Sequence, residues 1–206
     1  MNPKRITRYT TLPVLLDLLK QKHLVMLDPR TWEDKNDSRI IEEYKRRKGL
    51  SKLFALCFSR GDETIHHWKT YAEGIGGCLI EFDGHQLVES IKEIEGVRFD
   101  SVRYKFLREV EKKKIKVDDI PFTKRWQYRC EEEWRMIWEG NSEAAFYKVP
   151  IDLRIINKIT ISQKMPRPVY ATIKALLRSS FSDPDKKIHS STLFENERWI
   201  SQFKNK

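Results

Sequence analysis

Residues Tyr128–Gly140 read YRCEEEWRMIWEG, and the fold and function both turn on how that stretch is understood. Its second half alternates and carries aromatic and β-branched side chains, the pattern of a strand. Its first half is a run of three glutamates, in a chain whose 40 Lys and Arg against 30 Asp and Glu give a formal charge of +10. Neighbouring like charges repel, and burying them costs desolvation. Either the acids lie in water, or some chemistry needs a carboxylate there. Strand alternation puts Glu131, Glu133, Arg135 and Ile137 on one face, with Glu132, Trp134, Met136 and Trp138 on the other. The second set is apolar after its first member and is assigned to the core. Glu131 and Glu133 are then expected to project together from the opposite side of a strand end. Such a pair can hydrogen-bond a ribose hydroxyl and stabilise a developing oxocarbenium ion. A solvated cross-strand charge ladder accounts for the same spacing.

Outward from this strand, KLFALCFS (Lys52–Ser59) and GGCLIEFD (Gly76–Asp83) read as two further strands. ITRY, LVML, VRFDSVRY, AFYKVPI and IINKITIS complete the strand set. TTLPVLLDLLKQK reads as a helix with a Thr cap, an early Pro and apolar residues at Leu12, Leu15, Leu16 and Leu19. RIIEEYKRRKG reads as a helix closed by Gly49. DETIHHWKTYAEG is a short helix stopping at Gly74, and GHQLVESIKEIEG is another. DPRTWEDKNDS is expected to be a loop. KFLREVEKKKIKVDD reads as a charged helix or arm, and PFTKRWQYRCE as helical up to the glutamates. VYATIKALLRSSF reads as a helix ending before SDPD (Ser182–Asp185), and short closing elements follow. Strands and helices mix without a strict βαβ order. The expected class is α+β: a single domain over 1–206, a mixed, mostly antiparallel split sheet with flanking helices, and 165–206 as a C-terminal helical closing segment.

No apolar run approaches a membrane span, and the N-terminus lacks an apolar signal-peptide core, so a cytoplasmic protein is expected. Cys57, Cys78 and Cys130 have no CxxC spacing, which favours neither zinc nor disulfides; they are expected to act as small hydrophobes. His66-His67 lacks the further ligands a metal site needs, and no metal is expected. Neither a GxGxxG nor a Walker A sequence occurs. The positive balance favours a polyanionic partner, nucleic acid first, with KRRKG (Lys45–Gly49) and EKKKIK (Glu111–Lys116) as candidate phosphate contacts; a solvated surface is the alternative.

Two more constellations carry possible chemistry. In the first, a strand ends in Phe58-Ser59, a short helix carries Trp68 and Tyr71, and Gly74, Gly76 and Gly77 let the chain turn back. A hydroxyl and an aromatic ring so placed can wall a pocket for a flat heterocycle, although Trp68 suits a core anchor better. In the second, Arg8 and Tyr9 end a short strand before a capped helix, whose first amides and Arg8 can hold a diphosphate.

Together these pieces resemble a widespread bacterial family of unknown function. They are Trp32, Asn36 and Asp37; Leu56, Cys57, Phe58 and Ser59; Trp68, Tyr71, Ala72, Gly74, Gly77, Glu81 and Phe82; then Trp126, Glu131, Glu133, Trp134 and Arg135. The match spans most of residues 5 to 165. It departs from the family after Asn36-Asp37, where the usual Pro-Phe-Glu is replaced by Ser38-Arg39-Ile40. The family's pattern is in turn similar to the nucleic-acid-modifying toxin branches of the ADP-ribosyltransferase superfamily.

That resemblance implies an ADP-ribosyltransferase-like fold and NAD as substrate. Glu133 would bind the nicotinamide-ribose hydroxyl and stabilise the oxocarbenium-like transition state, and Glu131 would orient or deprotonate the acceptor. Arg8 and Tyr9 would hold the diphosphate or adenosine end. Ser59 would fill the middle-strand position, and Tyr71 would stack on nicotinamide. It further implies a toxin of a bacterial conflict or phage-defence system, an antitoxin partner, and nucleic acid, RNA favoured, as acceptor. Two other readings stay open: a non-catalytic nucleic-acid or nucleotide-binding module, and a magnesium-dependent nuclease using Asp37, Glu131 and Glu133.

Overall fold

The computed structural model describes residues 3–181 and 187–204; the SDPD segment, before which a helix is expected to end, lies outside them. The strands in chain order are β1 (Arg5–Thr11), β2 (His23–Met26), β3 (Lys52–Ser59), β4 (Gly77–Asp83), β5 (Val97–Ser101), β6 (Arg103–Lys105), β7 (Thr123–Arg125), β8 (Glu133–Gly140), β9 (Tyr147–Pro150), β10 (Ile156–Ile161) and β11 (Ile188–Ser190). The helices are α1 (Leu12–Gln21), α2 (Lys35–Lys48), α3 (Ile65–Tyr71), α4 (Gly84–Ile91), α5 (Leu107–Lys112), α6 (Arg167–Arg178) and the short α7 (Glu197–Ser201). The class is α+β, and the strand pairing is mostly antiparallel, as expected.

Three sequence readings are corrected. The stretch read as a loop before Arg39 is helical from Lys35, because the Asp34 side chain accepts from the amides of Asn36 and Asp37 and caps α2 there. PFTKRWQYRCE is the strand β7 followed by a 3-10 turn over Trp126–Glu131. The charged arm after Phe106 is helical only over α5 and re-forms as a 3-10 turn at Val117–Phe122.

The residues gather into two units interleaved along the sequence. The first holds the chain up to Ile6, Lys22–Gly61 and Asp83–Ile151; the second holds Thr7–Gln21, Asp62–Phe82 and Asp152 onward.

In the first unit β8 lies between β3 and β5, antiparallel to both. Phe58 faces Trp134 and Leu56 faces Met136 across the β3–β8 ladder, while Phe99 of β5 faces Met136 from the other side. This is the apolar face the alternation identified. The opposite face is covered as well. Leu53, Ala55 and Ile137 pack with Ile41 and Tyr44 of α2 and with Ile120 and Phe122 of the second 3-10 turn. A strand paired on both edges and roofed on both sides leaves none of its first five residues open to water: Glu133, Trp134, Arg135, Met136 and Ile137 are all buried. The α2 roof ends at Gly49, whose φ of +64° suits glycine and closes the helix as expected. A separate antiparallel pair, β2–β9, and a parallel pair, β6–β7, complete the unit.

In the second unit the strand order is β11-β10-β4-β1. β10 pairs antiparallel with β4 and parallel with β11. Tyr9, Trp68, Ala72 and Leu79 form a buried cluster with Leu193 against it. α1 buries Leu15, Leu18 and Leu19, close to the stripe predicted, with Leu18 replacing Leu12 and Leu16 as a fully buried position.

Candidate functional site

The glutamate run resolves into a buried cluster of charges within the first unit. Glu131 ends the 3-10 turn, Glu132 takes a left-handed conformation (φ 43°, ψ 44°), and Glu133 opens β8. That kink corrects the sequence reading: Glu131 is not on the strand and shares no strand face with Glu133. The two carboxylates meet through a cation instead. Lys124 Nζ lies 2.6 Å from Glu131 Oε2 and 3.2 Å from Glu133 Oε2. It is also 3.8 Å from Asp37 Oδ2.

Arg135, fully buried, ties the other side. Its Nε donates to Glu133 Oε1 at 2.8 Å, and its Nη1 and Nη2 donate to the two Asp37 oxygens at 3.1 and 2.7 Å. Nη1 also donates to the Pro121 carbonyl at 2.7 Å, and the guanidinium lies over the Trp32 ring. Fork geometry of this kind is what makes an arginine tolerable in an interior. Asp37 reaches the cluster because it sits in the first turn of α2, which the Asp34 cap positions.

The cluster holds three carboxylates and two cations, a formal excess of one negative charge. Burial opposes charge on Glu133, but Arg135 and Lys124 outweigh it and hold the carboxyl down at about 2. Burial dominates at Asp37 and pushes its carboxyl up, against the pull of Arg135. On acidification Asp37 therefore takes a proton before Glu133. Lys124 and Arg135 are both shifted up: burial disfavours their charge, and the surrounding acids, Glu133 foremost, more than restore it.

Ser59 stands directly opposite Glu133 in the β3–β8 register. Its Oγ donates to the Glu131 carbonyl at 2.8 Å and accepts from the Gly61 amide at 3.2 Å. Tyr104 Oη accepts from the Glu133 amide at 2.8 Å. Cys57, opposite Arg135, presents its thiol toward Glu133; burial and that carboxylate push it up well beyond a reactive range. Ser59, Glu131 and Glu133 are thus brought together. Lys124 was not anticipated from sequence, since a lysine in TKRW has nothing to distinguish it until the fold closes.

Arg8, Tyr9 and Tyr71 lie in the second unit. Tyr9 is buried, stacked on His67 with ring centroids 5.0 Å apart and edge-on to Trp68 at 5.7 Å. Its hydroxyl accepts from the Thr64 amide, and His67 Nδ1 pairs with the Thr64 hydroxyl at 2.6 Å. Trp68 is a core anchor, as its spacing suggested. Tyr71 is 42 % exposed, with its ring centroid 6.0 Å from that of His67. At the α1 start the Leu12 amide donates to the Gly76 carbonyl at 2.8 Å, which removes one of the amides expected to face a diphosphate.

The nuclease reading loses its ligand set: Asp37, Glu131 and Glu133 aim their oxygens at Lys124 and Arg135, and among the described residues no group of His, Cys, Asp or Glu is arranged to hold a metal ion. The basic run of α2 is engaged in ion pairs. Lys45 pairs with Glu42, Arg46 and Arg47 with Glu43, and Lys48 with Asp118. The groove of about 540 Å³ against α2 is correspondingly lined by both signs, with Arg39, Glu42, Glu43, Lys45 and Arg46 beside Leu50. The run Lys112–Lys114 and Lys116 is exposed. Cys78 is buried in its strand as a small hydrophobe, whereas Cys57 is half-buried with its thiol toward Glu133 and Cys130 is exposed. No helix is long and apolar enough to cross a membrane among the described residues.

Comparison with models of known families and with characterised proteins found no match. Among solved structures, the fold is similar to Thermus sp. 2.9 DarT in complex with NAD+, at a TM-score of 0.44 and 10% identity over 92% of this chain and 96% of that one. It is similar to the same protein in complex with ADP-ribosylated ssDNA at 0.43 and 11% identity, over 92% and 94%.

Proposed function

We propose that the protein is an NAD-dependent ADP-ribosyltransferase that modifies nucleic acid, RNA favoured, and acts as one cytoplasmic domain closed by residues 165–206. The observation that carries this is the state of Glu133: a carboxylate kept ionised inside the fold, at a strand end, opposite the Ser59 hydroxyl. In this reading Glu133 accepts a hydrogen bond from the nicotinamide-ribose hydroxyl. The bond from ribose to nicotinamide breaks, nicotinamide leaves with the electron pair, and the sugar carbon gains positive charge. A fixed anion about 4 Å away, at an effective dielectric near 20, is worth about 4 kcal/mol, roughly a thousandfold in rate. The acceptor then attacks that carbon, and Glu131 takes its proton. Arg8 and Tyr9 hold the diphosphate or adenosine end, Ser59 fills the middle-strand place of the NAD-binding set, and Tyr71 stacks on nicotinamide. The toxin role and an antitoxin partner follow from the motif resemblance.

A second reading is favoured by one observation. Both oxygens of Glu133 already accept from cations, Oε1 from Arg135 and Oε2 from Lys124. A purely structural cluster would look like this, and the protein would then be a binding module. Incubation with labelled NAD and total RNA, single-stranded DNA or cell protein separates the two. Label transfer abolished in Glu133→Gln and reduced in Tyr71→Ala, with folding intact, supports the transferase. Salt-sensitive nucleic-acid binding with no NAD consumption supports the module and ends the first reading.

A further inference from the structure

We propose that Phe106, Trp126 and the two arginines over them form a platform on which unpaired bases of a nucleic-acid strand stack. The Phe106 and Trp126 rings are stacked, with centroids 4.7 Å apart and planes 29° from parallel. Arg108 Cζ lies 5.0 Å from the Phe106 centroid, and Arg129 Cζ 4.9 Å from that of Trp126. The fold builds this deliberately. The parallel β6–β7 register pairs Lys105 with Arg125, which sets the next residue of each strand, Phe106 and Trp126, side by side. Glu109 accepts from the Phe106 amide at 2.7 Å and fixes the start of α5.

Both rings are only half-buried, so the stack is not a core element. The surrounding charge points to the partner's class. Arg108, Arg125 and Arg129 are exposed and have no ion pair among the described residues, unlike the basic run of α2. Lys112 at the end of α5 and Lys113, Lys114 and Lys116 after it outnumber the exposed acids Glu111 and Glu132 nearby in sequence, and Glu109 is taken by the α5 cap and by Lys105. Cations beside stacked aromatic and guanidinium planes match a polyanion that also offers flat π-faces, which is a single strand; a duplex keeps its base faces internal. The platform is also tied to the carboxylates. Trp126 begins the 3-10 turn that Glu131 ends, a path of about 10 Å at the usual rise per residue.

The inference deepens the function proposed above and rests on it only for the acceptor's class. The test is therefore run without NAD. Fluorescence anisotropy of labelled poly-uridine and poly-thymidine oligonucleotides and of a duplex is measured on the full chain, with heparin retention as a polyanion that has no bases. Trp126→Leu and Phe106→Leu, made separately so that one misfolding variant leaves the other readable, are each expected to weaken single-strand binding about tenfold with heparin retention unchanged. Arg108→Ala with Arg129→Ala is expected to weaken both and to lower the salt slope by about 2. The uridine and thymidine arms identify which strand binds tighter. Wild-type affinity in both Leu variants, or equal loss toward heparin and oligonucleotide, overturns the platform. A platform that binds strands in a chain that transfers no label sinks the transferase reading alone.

Discussion

Arg135 and Asp37, 98 positions apart, meet through two hydrogen bonds of 3.1 and 2.7 Å with the arginine fully buried. The pair fastens the first turn of α2 to β8, and it does so at the point where Glu133 is also held. A buried charge that loses its partner stays desolvated without compensation. Arg135→Met is therefore expected to cost about 3–5 kcal/mol, because it strands Asp37 and Glu133 together. Adding Asp37→Leu should recover part of that loss, since it removes one orphaned acid. Urea unfolding of the two variants reads both values; a double variant less stable than the single one would refute the pairing.

Glu133 sets the acid limb of stability. Its folded pKa, about 2, lies below the ordinary carboxylate value of 4.5, so the stability it contributes is full above about 4.5 and is lost as pH falls toward 2. Asp37 works in the other sense: its raised pKa favours the protonated fold, and that contribution fades as pH rises through the folded value. The gap in stability between wild type and Glu133→Gln should accordingly shrink as pH is lowered from 5 to about 2. Lys124→Met removes one of the two cations lowering Glu133 and should move the acid loss to higher pH. Thermal unfolding across that range checks both; a gap constant with pH would show that Glu133 is not held ionised by its neighbours.

The strands were legible because alternation and β-branched or aromatic content are local properties. KLFALCFS and EWRMIWEG became β3 and β8 almost as read. The charge cluster was not legible in the same way. Alternation correctly separated Glu133 and Arg135 from Trp134 and Met136, but it says nothing about whether a face is roofed. Here α2 and the Val117–Phe122 turn cover it, so the acids expected at an open edge are buried. Glu131 was misplaced because the left-handed Glu132 breaks the two-residue period, a conformation no neighbouring glycine announces. The Lys124 contacts depend on where the Trp126–Glu131 turn carries Glu131, and α2 starts at Lys35 because Asp34, a turn former by residue type, acts as its cap.

Within the second unit Gly76, just before β4, and Gly77, its first residue, differ in kind. A Cβ on Gly77 would lie 1.9 Å from the Ala72 carbonyl oxygen, whereas one on Gly76 meets nothing within 4 Å. Gly77→Ala must displace backbone, and the loss is expected to exceed the usual overpacking cost of about 1–3 kcal/mol. Gly76→Ala should fall within about 0.5 kcal/mol of wild type. Denaturant midpoints compare the two directly, and equal effects would contradict the close approach of α3 and β4.

Ser59 gives the most direct link between the fold and the proposed chemistry. Its hydroxyl joins the end of β3 to the turn carrying Glu131 through the hydrogen bond it donates to the Glu131 carbonyl, while it accepts one from the Gly61 amide just beyond β3. Ser59→Ala leaves the buried Glu131 carbonyl without that donor, a penalty of about 1–3 kcal/mol, and frees the turn to shift relative to Glu133. Ser59→Thr keeps the hydroxyl and should retain more stability unless its added methyl clashes. If the two glutamates act as a unit, label transfer should fall in Ser59→Ala by more than its folded fraction falls, and Ser59→Thr should restore part of it. Transfer that simply tracks the folded fraction would confine Ser59 to architecture and would leave the positioning of Glu131 to Lys124.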